Sequence, residues 1–142
     1  GPLKRSVEKK YPTLLDCCFF RGELSPSETL GFFSEIDIFV MPSTAVEGFP
    51  NSLAEAATLG VPCIAADVGA ARLMIDSSWL VQGRGHRPLG TKIRYLLAQS
   101  SEQVADLVQR NRNRTLKLTN SDHVRTMYLS AWGLSCDELD LH

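Results

Sequence analysis

Short apolar runs alternate along this chain with stretches patterned as helices, and that alternation constrains the fold more than any other feature. The runs are "CCFFRG" from Cys17, "IDIFVMP" from Ile36, "CIAAD" from Cys63 and "WLV" from Trp79. A strand with one wet face alternates apolar and polar residues; these runs do not, so they read as strands buried on both faces. Buried strands separated by helices imply a parallel sheet covered on both sides. The expected class is α/β, a Rossmann-like three-layer α/β/α arrangement with a mostly parallel sheet.

The helix signals agree. Residues 3–11 form a basic stretch ended by Pro12. Ser25 is placed to cap, Pro26 suits a first helical position, and Glu28 completes a capping box, with Leu30 and Phe33 as the inner face. A helix over Leu53–Leu59 is stopped by Gly60 and Pro62. Gly69 opens a short helical segment reaching about Ile75. Val104, Leu107, Val108 and Leu118 recur at helical spacing, as do Val124, Met127, Tyr128, Ala131 and Trp132. No repeat or linker interrupts the pattern, so residues 1–132 read as one domain and 133–142 as an acidic tail.

The chain has 142 residues, enough for one hydrophobic core. A net charge of −1 gives no bulk electrostatic reason to expect nucleic acid or an acidic membrane. No apolar run approaches the roughly 20 residues of a membrane span. Four cysteines, Cys17, Cys18, Cys63 and Cys136, lack zinc-ligand spacing. The first three fall in apolar runs and read as small hydrophobes in a reduced, cytoplasmic protein.

The candidate site is the loop Ser43–Ser52, which follows "IFVMP" and leads into a helix. Ligands of open parallel sheets sit beyond the carboxyl ends of the strands. Unpaired N–H groups at a helix start favour an anion, phosphate above all. Gly48 lets backbone approach a ligand closely, and Asn51 or Ser52 can cap. Glu47 and Glu55 stand on either side with seven residues between them. Carboxylates accept strongly from sugar hydroxyls, so a ribose–diphosphate–sugar ligand suits the spacing. A plainer reading stands beside it: Ser52–Glu55 is itself a capping box, and Glu47 a solvated loop acid. The residues alone leave both open.

"EGFPNSLAEAATLGVPCIAADVGAA" resembles the donor-binding signature of retaining glycosyltransferases of the GT-B fold, family 4. "FFSEIDIFVMPS", "CCFFRGEL" and "GPLKRSVEKKY" resemble the segments that precede that signature. The resemblance covers residues 1–100, and more loosely the terminal helices. It implies the donor-binding half of an enzyme that transfers a sugar from a UDP- or GDP-sugar to a glycan or lipid-linked acceptor. Glu47 would contact hydroxyls of the transferred sugar and is the catalytic residue that the signature implies; Glu55 would hold the ribose. The backbone of Gly48, Phe49, Pro50, Asn51, Ser52 and Leu53 would face the diphosphate and sugar, and the loop after Gly22 the nucleobase. No metal and no cofactor is implied. The localisation implied is cytoplasmic, with the full-length enzyme at the inner membrane face.

Departures from the family pattern set further expectations. The strand–helix–strand unit that carries an Arg and a Lys phosphate clamp has no counterpart here, nor has the N-terminal acceptor domain. The chain alone is then expected to be inactive, and a homodimer through an incomplete sheet is one way to cover the open edge. Gly69-Ala70 replaces a Gly-Gly, and Trp79 replaces a glycine. Arg110, Arg114 and Lys117 share a helical face, read as solvated with a lipid contact as the lesser alternative. His86 reads as a loop residue. Three rivals remain: a non-catalytic binding or assembly subunit, a sugar-nucleotide epimerase of the same fold, and a remnant that binds nothing.

Overall fold

A computed structural model describes residues 4–43, 48–83 and 85–120. The expected helix at 122–132 and the tail at 133–142 lie outside the described residues. The chain divides into two compact units, residues 1–35 and 36–142.

In the first unit, α1 spans Lys4–Lys10, a single 3-10 turn covers Pro12–Asp16, and α2 spans Pro26–Glu35. The capping box before α2 forms as expected. The Ser25 N–H donates to Glu28 Oε2 at 2.8 Å, and the Ser25 hydroxyl donates to the same oxygen at 2.6 Å. These bonds, the hydroxyl's first, hold the Glu28 carboxyl below its ordinary range. Only one of the two expected inner residues is buried: Phe33 is covered, whereas Leu30 is exposed. A further expectation fails here. Residues 17–22 form no strand, and Cys17, Cys18, Phe19 and Phe20 are all exposed, Phe19 at 85%. An apolar run becomes a buried strand only where neighbouring strands accept its N–H and C=O groups and helices cover its faces. The described sheet offers this segment no ladder.

That sheet belongs to the second unit. Its three strands are β1 (Phe39–Met41), β2 (Cys63–Ala66) and β3 (Leu80–Val81), parallel and in the order β1-β2-β3. The register pairs Phe39 with Cys63 and Ala65 with Leu80. Central β2 is buried at every position, as its unbroken apolar sequence requires.

α3 (Asn51–Thr58) links β1 to β2. It stops as its sequence predicts. Gly60 adopts φ +82°, its N–H donates to the Ala57 carbonyl at 3.2 Å, and the Val61 N–H donates to Ala56 at 3.0 Å. This is a Schellman ending, which wants a left-handed residue that only glycine adopts without strain. α4 (Ala71–Met74) and a 3-10 turn, Ser77–Trp79, link β2 to β3. α5 (His86–Leu97) and α6 (Ser101–Thr119) follow. His86 is thus the first residue of a helix, not a loop residue; Pro88, in the first turn, has no intrahelical N–H to lose. α6 packs on α3 and α4, and α5 on β3.

One polar junction ties α6 to the turn after α4. The Asp76 N–H donates to Asn111 Oδ1 at 2.8 Å, across 35 residues. Asp76 Oδ1 accepts from the Ser78 N–H at 3.0 Å and hydroxyl at 2.9 Å, and Oδ2 lies 3.4 Å from Arg114. Arg110 pairs instead with Asp106 at 3.0 Å, so two of the three basic residues on that face of α6, Arg110 and Arg114, are held in ion pairs. The Ser78 N–H is the main cause that holds the Asp76 carboxyl below its ordinary range. Partial burial opposes it, and the Ser78 hydroxyl, Arg114 and Arg110 add to it. A carboxyl depressed in the folded state contributes stability above its unfolded pKa and loses it as pH falls through the folded value. Asp76→Asn is therefore expected to cost about 1 kcal/mol at neutral pH. The gap from wild type should close as pH is lowered toward about 3. Urea midpoints measured across that range check it; a gap independent of pH would exclude the assigned cause.

Candidate functional site

β1 ends at Met41, and the loop that follows reaches α3 at the carboxyl edge of the sheet. Pro50 is the last residue before α3, with φ −79° and ψ 94°. It is fully buried, and its carbonyl accepts from the N–H groups of Leu53 and Ala54, each at 3.1 Å. Asn51 and Ser52 are thus already helical, and their N–H groups precede the first intrahelical bonds. Both face solvent, while Leu53 is wholly buried.

This placement excludes the capping-box reading of Glu55. A capping hydroxyl must sit on a residue outside the helix. Ser52 sits inside it, so neither it nor Asn51 caps, and no side chain caps α3. The Ser52–Glu55 box is therefore not formed. Boxes do form where the serine precedes its helix, at Ser25–Glu28 and at Ser100–Gln103. The Glu55 carboxylate makes no hydrogen bond or ion pair with any described residue.

It lines a groove of about 440 Å³. Asn51, Ala54, Glu55 and Thr58 contribute one face of α3 at i, i+3, i+4 and i+7; Phe49, Leu59 and Thr119 complete the lining. Glu55 is the only charged residue among them. The groove thus joins an acceptor carboxylate, an aromatic ring and a helix start. It can hold a diol against Glu55 and an apolar ring face against Phe49, with partial positive charge from the helix end nearby.

The other predicted residues distribute unevenly. Gly48 precedes Phe49 in a bend, and a side chain there would meet nothing within 4 Å, so close approach of a ligand is open. Gly22 adopts φ +77° and belongs to the first unit. Glu47 lies outside the described residues. Sequence reasoning missed Ala54, Thr58, Leu59 and Thr119. Thr119 comes from the far end of α6, and no local pattern could have paired it with α3.

Residues 1–99 match the family described as glycosyl transferases group 1. The chain belongs to that family. No curated protein is significantly similar to this group 1 chain in sequence. Sucrose-phosphate synthase from Thermosynechococcus elongatus has a similar structure, with TM-score 0.74 over 94% of this chain at 23% identity. That likeness is one of fold, the Rossmann-like unit of a GT-B enzyme, and it agrees with the class expected from the apolar runs. The chain spans 35% of the length of that synthase. Among the described residues of the group 1 chain, no three His, Cys, Asp or Glu side chains gather as a metal site. No described helix is long and apolar enough to cross a membrane.

Proposed function

We propose that this chain is the donor-binding half of a retaining glycosyltransferase that takes a UDP- or GDP-sugar and serves a glycan or lipid-linked acceptor. The observation that carries the reading is the Glu55 carboxylate on the groove wall, one turn into α3, with no hydrogen bond or ion pair among the described residues. In this reading Glu55 accepts from the ribose diol and Phe49 covers an apolar face. The N–H groups of Asn51 and Ser52 meet the diphosphate, and the α3 dipole holds charge developing on it as it leaves. Glu47 contacts the transferred sugar, as the family signature implies. Transfer needs a second domain to bring the acceptor and exclude water, so the chain alone is inactive.

Calorimetric titration with UDP, GDP and their sugars tests this. Weak binding is expected, with Kd about 0.1–1 mM, or ~4–5.5 kcal/mol, because no cationic side chain among the described residues lines the groove. Absence of heat with every nucleotide would leave a remnant held by packing alone. Turnover of the donor without any acceptor would reassign the site to an epimerase. Transfer restored by adding a separate acceptor-binding half would support the two-half reading.

A further inference from the structure

Cys17 and Cys18 have no part in the proposed donor site, and the structure gives them a setting the sequence did not. Both are exposed, and the two side chains lie within hydrogen-bonding reach of each other. Cys63 differs in every respect. It is buried, its thiol donates to the Val61 carbonyl at 3.0 Å, and burial pushes its pKa up to about 12. It is chemically quiet.

Two adjacent exposed thiols can join each other or share a third atom. Consecutive Cα atoms stand about 3.8 Å apart, whereas disulfides usually span ~4.4–6.8 Å. A Cys17–Cys18 disulfide is therefore strained and easily reduced. A larger soft atom placed between the sulfurs relieves that strain. Zinc asks for four ligands, and no group of three or more His, Cys, Asp or Glu gathers among the described residues. A trivalent arsenic carrying one organic group asks for two.

We propose that Cys17 and Cys18 form a bidentate dithiol site for a trivalent organoarsenical. Two As–S bonds form while the arsenic–oxygen bonds of the oxide break. Both thiol protons leave with that oxygen as one water, and arsenic remains trivalent. The Cys18 thiol is raised above its ordinary value, by the hydrogen bond with Cys17 first, then by desolvation and the charge of Cys17.

Phenylarsine oxide, added in equimolar amount to the reduced full chain, is the probe, read by intact-mass spectrometry and thiol counting. One phenylarsenic group should add with loss of two thiols. Glutathione should leave the adduct in place, and 2,3-dimercaptopropanol should strip it, as chelation by two sulfurs requires. Cys17→Ser and Cys18→Ser should each lower affinity at least tenfold, while Cys136→Ser should retain it. Both serine changes are at exposed positions, so retained thermal unfolding separates loss of ligands from loss of fold. An adduct that survives either serine variant unchanged, or no adduct on the wild type, overturns the proposal. So does accumulation of a stable Cys17–Cys18 disulfide in a reducing glutathione buffer.

Discussion

Glu55→Ala is expected to weaken binding of UDP or GDP at least tenfold, moving a Kd of about 0.1–1 mM out of calorimetric range. Hydrogen bonds to a charged acceptor contribute about 1.5–3 kcal/mol, which is roughly ten- to hundredfold in affinity. The effect should reach that scale because Glu55 has no competing partner among the described residues. A carboxylate already bonded to a capping serine would have to exchange one partner for another, and its removal would be read mainly as lost helix stability. Here the thermal midpoint should barely move. A double-mutant cycle isolates the ribose contact: the 2′-deoxy nucleotide should lose affinity on the wild type and lose little more on Glu55→Ala. Equal binding by both proteins would remove Glu55 from the site.

Trp79→Ala is expected to lower stability by about 3–5 kcal/mol, a large part of the ~5–15 kcal/mol that holds a domain folded. The midpoint should fall by roughly 10–20 °C in scanning calorimetry. Among the described residues Trp79 is the largest wholly buried side chain, and it stands immediately before β3, so the cavity opens beside the shortest strand of the sheet. Trp79→Phe should be far milder, about 1–2 kcal/mol. The indole N–H has no hydrogen-bond partner among the described residues. A phenyl ring therefore loses packing but relieves a buried donor left unbonded. If Phe proves as damaging as Ala, ring volume is not what the site needs.

Trp79 also illustrates how far local reading reaches. In sequence it stood out as the head of the apolar run "WLV" and as a mild departure from a glycine; in the structure it is wholly buried. The caps divide along the same line. Ser25–Glu28 was legible because Pro26 fixes which residue begins the helix. Ser52–Glu55 has the same spacing and makes no such bond, since Pro50 takes the cap position and α3 begins at Asn51, one residue before Ser52. The run at 17–20 matched the buried strands in composition and lies exposed, because burial depends on neighbours that composition does not supply.

The amino-acid sequence by itself determined three of the four strands it suggested, the helices between them, the stop at Gly60, and the loop and helix start that carry the candidate acids. Each of these follows from contacts within a few residues: periodicity, ring closure at proline, a left-handed glycine. Tertiary structure alone decided that Glu55 is uncommitted among the described residues, that Thr119 lines the groove beside it, that Asn111 ties α6 to Asp76, and that Cys17 and Cys18 face water. Those outcomes depend on which distant surfaces meet, and the energy of such a meeting is shared among residues that no local pattern connects.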